Sequence, residues 1–304
     1  MNVLELKNVS KSFGSLSVLK DLSFSVPEGS VFGFIGKNGA GKTTTMKTIL
    51  GFLPVSGGEI KVCGEKVRFG ETHTNRYIGY LPDVPEYYGY MRPKEYLKLC
   101  GQIIGLSSRE ISRQTDELIA LVGLEGVNRK IAGFSRGMKQ RLGIAQALIG
   151  EPRLLICDEP TSALDPVGRR EILDILHKIK DRTTIVFSTH ILSDVERICD
   201  TVGILNNGSL ALQGTLADIR GRYRQNSVRI ELATPADANQ LMPVLSGLPA
   251  ATNVEAAGSA LTVNLHTAAG GADVLAAVAA KHAPVIRYEM LEPTLENVFM
   301  EVIV

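Results

Sequence analysis

Near its start the chain alternates between hydrophobic and polar positions. "VLELKNV" (3–9) and "SVLKDLSFSV" (17–26) mostly change face from one residue to the next, as half-buried strands do. "VFGFIG" (31–36) is apolar throughout and predicts a strand covered on both sides. The period then lengthens to that of a helix from about Lys42 to Leu50, before the short strands "EIKVCG" (59–64) and "YIGYLP" (77–82). From Pro93 to Ile149 the pattern is mostly helical, broken at Gly105-Leu106-Ser107 and at "GLEGVNRKIAGFS" (123–135). Strands and helices alternate after that. "RLLICDE" (153–159) precedes a helix from Pro166 to Lys180, and "TTIVFSTH" (183–190) precedes a helix through Ile198. This order predicts a mostly parallel sheet with helices on its faces. "NNG" (206–208) joins "TVGIL" and "SLALQG" as a hairpin.

The character changes at "RGRYRQNS" (220–227). An Ala-rich remainder reads strand, helix, strand, strand, helix, strand: "SVRIEL", a segment from about Ala236, "ATNVEA", "ALTVNLH", a segment from about Gly271, and "PVIRYEM". That is the β-α-β-β-α-β order of a ferredoxin-like domain, with a last helix "TLENVFMEV" appended. Three regions are therefore expected: a large domain over 1–219, a linker over 220–226, and a small accessory domain over 227–304. Arg220, Arg222 and Arg224 read as a solvated linker in preference to a basic patch.

Composition narrows the function classes. The 304 residues hold 33 Lys and Arg against 32 Asp and Glu, a net charge of +1, so there is no electrostatic footprint for nucleic acid and none is expected as a partner. Cys63, Cys100, Cys157 and Cys199 form no C-x-x-C and are expected to be small buried hydrophobes in a reducing compartment. The first residues lack the basic and apolar regions of a secretory signal. No apolar run approaches the roughly 18 residues needed to cross a bilayer. The sequons at Asn8 and Asn207 then read as chance matches in a cytosolic chain, and any membrane role must come through a partner.

Candidate chemistry begins at "GKNGAGKT" (36–43), which fits G-x-x-x-x-G-K-[ST] between a predicted strand and a predicted helix. Gly36, Lys37, Asn38, Gly39, Ala40, Gly41, Lys42, Thr43 and the following Thr44 form the candidate cradle. Its glycines permit positive φ, which turns successive N–H groups toward phosphate oxygens, and the helix dipole points to the same place. Lys42 is expected to reach the β- and γ-phosphates of a nucleoside triphosphate, and the Thr43 hydroxyl to sit on Mg²⁺. About 115 residues further on, "LLICDE" carries Asp158 to a strand end as a second metal contact, with Glu159 placed to polarise the attacking water. His190 in "STH" closes the next strand, where it can meet the γ-phosphate.

The block "FSRGMKQRLGIAQALIGEPRLLICDEPTSALDP" (134–166) resembles the signature-to-D-loop region of ABC-type ATPases. The resemblance extends over residues 1 to about 219, because "GKNGAGKTT", "FSRGM", "CDEP", "SALD" and "STH" occur in that family's order. It implies a P-loop NTPase (ABC ATPase) α/β domain with a mixed sheet and a helical subdomain at about 90–150, beside the small α+β ferredoxin-like domain. It also implies that Ser135 and Gly137, at the start of a helix, serve the γ-phosphate held by the other subunit of a head-to-tail ATP-sandwich homodimer. Asp165 would lie at that seam, and Phe13 matches the ring that stacks on adenine, although a core aromatic is also consistent with its sequence. No N-K-x-D element for guanine is present, which argues against a GTPase.

Three positions, at two sites, depart from the family's usual pattern. Arg136 and Met138 replace the middle Gly and the Gln of L-S-G-G-Q, and Asp83 stands where most members have a Gln that bridges Mg²⁺ and the loop touching the membrane subunit. Both changes resemble the ABC-2-type exporter branch, and Asp83 is expected either at the metal through water or as a turn residue. The resemblance implies an ATP-hydrolysing subunit on the cytoplasmic face of the membrane, powering a separate integral membrane permease. That partner would dock on helices around 93–122 and on the loop 83–91, with Tyr87, Tyr88 and Tyr90 as groove lining. Two alternatives remain open. One is a non-transport ABC ATPase, disfavoured by a single cassette and by the absence of a long coiled coil in the roughly 100 residues between phosphate loop and signature. The other is a transporter ATPase whose C-terminal domain senses a ligand.

Overall fold

The computed structural model describes residues 1–222, 226–291 and 294–303. These divide into two compact units, Met1–Leu216 with Val302–Val304, and Ala217–Glu301.

The first unit contains two sheets packed face to face. Strands β1 (Asn2–Phe13), β2 (Leu16–Pro27), β4 (Gly57–Val62) and β5 (Glu65–Lys66) form an antiparallel sheet ordered β2-β1-β4-β5. The central sheet has six strands: β3 (Val31–Gly36), β6 (Ile78–Leu81), β7 (Leu154–Asp158), β8 (Thr184–Thr189), β9 (Thr201–Asn206) and β10 (Ser209–Thr215), ordered β10-β9-β3-β8-β7-β6. All its pairings are parallel except the hairpin β9–β10. The core between the sheets follows from the alternation in the chain. Phe24 of β2 stacks on Phe32 and Phe34 of β3 with centroids 5.3 and 5.4 Å apart, and all three are buried. The intervening Gly33 leaves room on the other face for Val195 and Cys199, whose atoms would lie 2.8 and 3.0 Å from a Cβ there. Strand β3 is therefore covered on both sides, as its unbroken apolar run requires.

Helices α1 (Lys42–Ile49), α5 (Pro166–Ile179) and α6 (Leu192–Ile198) follow β3, β7 and β8 in the βα order that a parallel sheet demands. Helices α2 (Pro93–Ile103), α3 (Ser108–Leu121) and α4 (Arg136–Leu148) form the helical region expected between β6 and β7. Ser107 caps α3 with a reciprocal box to Glu110, which explains the break at 105–107. Features that escaped the pattern include β5, the 3₁₀ turns at His73–Tyr77 and Ile131–Gly133, and α7 (Leu216–Arg222), which holds Arg220 and Arg222 in a helix where a linker was expected. Arg224 lies outside the described residues. Of the cysteines, Cys157 and Cys199 are buried as expected, but Cys63 and Cys100 are only half-buried.

The second unit contains β11 (Ser227–Leu232), α8 (Pro235–Ser246), β12 (Ala251–Ala257), β13 (Ala260–Leu265), α9 (Gly270–Ala280) and β14 (Val285–Leu291), followed by α10 (Leu295–Ile303). Its sheet order, β12-β13-β11-β14, is antiparallel throughout, so the two βαβ halves interleave as in a ferredoxin-like fold. Val228, Ile230 and Leu232 of β11 point with Val263 and Leu265 into a core closed by Leu241, Leu245, Val274 and Val278 of the helices.

Candidate nucleotide site and signature tip

The carboxyl ends of β3, β7 and β8 lie side by side, because Phe34 pairs with Ser188 and Ser188 with Asp158. This is the edge at which parallel sheets present ligand sites. After β3 the chain turns through Lys37, Asn38 and Gly39, which are exposed, into Ala40 and Gly41, which are not. Gly41 is the N-cap of α1 at φ 113°, and a Cβ there would lie 2.7 Å from Leu19 Cδ2. Only glycine fits this turn without strain. Lys42, the first helical residue, is buried at 6% exposure and donates to the Gly36 carbonyl at 2.7 Å. Its ammonium is thus held over the loop before any substrate enters. Thr43 is exposed and Thr44 half-buried at the mouth of the cradle.

Asp158 is buried and accepts from Ser188 Oγ at 3.0 Å. Burial raises its carboxyl above the ordinary range, opposed by hydrogen bonds from Thr43 and Ser188. A threonine hydroxyl on a buried carboxylate is a pair of hard oxygen ligands, the donor type that suits Mg²⁺ shared with phosphates. The fit to a triphosphate is equally direct: a glycine-rich cradle, a buried cation, and a helix N-terminus.

Glu159 follows in the left-handed region at φ 49°, unusual for a residue with a side chain. Its amide donates to the Ser188 carbonyl at 2.9 Å, and its carboxylate sits 3.2 Å from Lys42 Nζ and 2.8 Å from His190 Nδ1. The sequence offered these three as separate candidates; the fold brings them into one chain of contacts. A carboxylate beside the cradle lysine is placed where a general base can orient a water. Phe13 is 46% exposed with Lys11 Nζ 4.7 Å from its ring centre, so it is not a core aromatic and keeps ring surface for a base.

Ser135 is the N-cap of α4, and its hydroxyl oxygen accepts from Met138 N at 3.2 Å. Gly137 has only Leu164 within 4.0 Å of a would-be Cβ, so its backbone is open to approach. A cavity of about 370 Å³ is lined here by Ser135, Arg136, Gly137, Leu164 and Asp165, among others, and by no residue of 36–44. Asp165 caps α5 by accepting from Gly168 N at 2.9 Å. Asp83, expected near the metal or as a turn residue, is turned to Arg136 Nη2 at 3.2 Å, and no hydrogen bond or ion pair joins it to Thr43 or Asp158 among the described residues. Tyr88 and Tyr90 are exposed, while Tyr87 packs edge-on against Tyr96 at 5.1 Å. A further cavity of about 300 Å³ between Val84–Tyr87 and Ile131–Ala132 opens beside them.

Sequence reasoning missed two contributors. Ser188 was within a quoted motif but had no role assigned. Asp194, 2% exposed, accepts from Thr161 Oγ1 at 2.7 Å and pairs with Arg169 Nη2 at 2.5 Å, tying α6 to the segment after Glu159. An acid in the first turn of a helix signals a favourable dipole contact, and nothing local announces its burial.

A phosphate cradle on a parallel sheet, with an acid pair at the end of the strand two places along, defines an ATP-binding and ATP-hydrolysing cassette. The comparisons agree. The ABC transporter model matches residues 19–162, and the model of the C-terminal domain of DrrA1-3-like ATP-binding proteins matches 214–303. The uncharacterized ABC transporter ATP-binding protein YxlF of Bacillus subtilis is 36% identical over 303 residues, covering 99% of both chains. The bacitracin transport ATP-binding protein BcrA of Bacillus licheniformis is 38% identical over 73% of both, and the linearmycin resistance ATP-binding protein LnrL of B. subtilis is 31% identical over 98% of this chain and 97% of its own. A solved ATP-binding subunit of an ABC transporter superposes with a TM-score of 0.66 at 37% identity, covering 73% of this chain and 93% of that one. The chain belongs to the family of ABC transporter ATP-binding proteins.

Proposed function

We propose that this chain is the motor subunit of an ABC-2-type exporter, in which two copies close head to tail on two ATP molecules and move a separate integral membrane permease. The observation that carries this reading is the separation of its two phosphate-handling ends. The cavity at Ser135 and Gly137 contains no residue of the cradle, so the tip is free to complete the site of a second copy. In this reading Phe13 stacks on adenine, Gly36 to Thr44 cradle the phosphates, and Lys42 compensates the charge of the β- and γ-phosphates. Thr43 and Asp158 hold Mg²⁺, which would neutralise charge on the phosphates. Glu159 orients the attacking water, and His190 fixes that carboxylate and reaches the γ-phosphate. Residues 1–219 form the ATPase domain and 227–304 an accessory domain.

No helix among the described residues is long and apolar enough to cross a membrane. In this reading the permease is a separate chain that holds this one at the cytoplasmic face. The cavity at Val84–Tyr87 with exposed Tyr88 offers a concave, partly aromatic seat for it. Relatives named for bacitracin transport and linearmycin resistance favour export as the direction. The test is Glu159→Gln with saturating Mg-ATP, followed by light scattering. The variant should bind ATP and accumulate as a dimer; a variant that binds ATP and stays monomeric rejects the shared site. Tyr88→Asp should lower the yield of chain recovered with its permease from membranes.

A further inference from the structure

Two of the three positions at which the sequence departs from its family, Asp83 and Arg136, meet across 53 residues of chain as an ion pair of 3.2 Å. The contact is part of a longer seam. Gln140, fully buried, donates through Nε2 to the Asp83 carbonyl at 2.6 Å, and the Tyr87 hydroxyl donates to the Lys139 carbonyl at 2.6 Å. One turn further along α4, a Cβ on Gly143 would stand 2.5 Å from Leu81 Cδ1 and 2.9 Å from the Tyr87 oxygen. Arg136, Gln140 and Gly143 are spaced i, i+4, i+7, so they form one stripe of the helix, and the loop leaving β6 lies along it.

The charge arrangement at the head of this stripe is unusual. A cation in the first turn opposes the helix dipole, and α4 has no acid of its own in that turn. Asp83 supplies the missing carboxylate from the loop. The pair places a carboxylate against the Arg136 guanidinium beside Ser135 and Gly137, in a cavity that Arg141, Asp165 and Glu171 also line.

We propose that Asp83 and Arg136 are a matched pair of positioning residues: Asp83 orients and neutralises the signature tip and is not a metal ligand. The pair makes the tip and the loop 82–87 a single moving part. This rests on the reading that the tip serves a second copy's nucleotide. The groups are 46% and 42% exposed, so each single change should have a modest effect, within about fivefold.

The experiment measures ATPase activity of the full chain against ATP and Mg²⁺ separately, for Arg136→Gln, Asp83→Asn and the double variant. Arg136→Gln leaves a bare carboxylate beside the tip and should raise the ATP needed for half-maximal turnover about three- to fivefold. The double variant removes both charges and should return it to within about twofold of the parent. Asp83→Asn should leave the Mg²⁺ needed for half-maximal turnover where it was. A tenfold rise in that Mg²⁺ requirement, or a double variant as impaired as Arg136→Gln, overturns the proposal. Hydrogen exchange without nucleotide provides an arm independent of the dimer: Arg136→Gln should speed exchange of amides in 83–88, and unchanged protection overturns the pairing. If turnover of the parent proves independent of chain concentration, the head-to-tail reading fails, and the exchange arm alone then decides the pairing.

Discussion

The two helix N-termini to which phosphate contacts are assigned in the proposed function are built differently. At α1 the cap is a glycine with no side-chain bond, the adjacent cation Lys42 is buried, and its partners are the loop's own carbonyl and Glu159. At α4 the cap is Ser135, bonded to its own helix, and the adjacent cation Arg136 is exposed and held by a residue from another loop. At the first end the cation is buried and held in place by the loop carbonyl and by Glu159. The second is a finished helix start whose charge depends on a distant segment. A group that binds its own substrate gains from being fixed in advance, whereas a group that serves another chain has to be adjustable from its own.

The sharpest way to break this contrast is to remove the fixed parts. Glu159→Gln should slow hydrolysis by about 10³-fold while ATP still binds, because the carboxylate is lost while the cradle and Lys42 remain. Single-turnover hydrolysis and nucleotide affinity measured on the same variant check it. Lys42→Ala should weaken triphosphate binding by a comparable factor, about 10³-fold by fluorescent-nucleotide titration, because a buried, pre-oriented charge leaves no substitute. The adjustable end responds otherwise. Ser135→Arg should lower turnover by about 100-fold and leave the monomer's nucleotide affinity unchanged, since the group acts across the seam. Loss of affinity in that variant would place Ser135 within its own chain's site and dissolve the contrast.

The difference between the two ends also governs what the sequence reveals. The cradle is local: eight residues set φ, cation and hydroxyl together, so spacing alone exposes them. The β-α-β-β-α-β order of the second unit is likewise visible, because each of its elements has its own period and only their order is needed. The Asp83–Arg136 pair is not visible in that way. Both residues were singled out as departures, but their meeting depends on how the loop after β6 lies on α4, which no local pattern encodes. The same holds for Asp194 with Thr161 and Arg169, and for the ion pair between Lys42 and Glu159. Helix α7 was missed for another reason. Its seven residues are too few for the period to emerge, and the arginines suggested solvent without excluding a helix.

The smallest effect should come from Phe13, and it separates the adenine end of the site from the phosphate end. The ring is half-exposed at the end of β1, with Lys11 beside it, and supports no part of the core. Its removal should therefore leave the melting temperature nearly unchanged. Stacking of a base on an aromatic side chain contributes about 1 kcal/mol at the low end, so Phe13→Ala should weaken ATP binding about fivefold, and Phe13→Tyr should restore it. Inorganic triphosphate has no base to stack, so its affinity should be the same for parent and variant. Equal losses for ATP and triphosphate would show that Phe13 supports the cradle itself, and the adenine would then have to rest elsewhere.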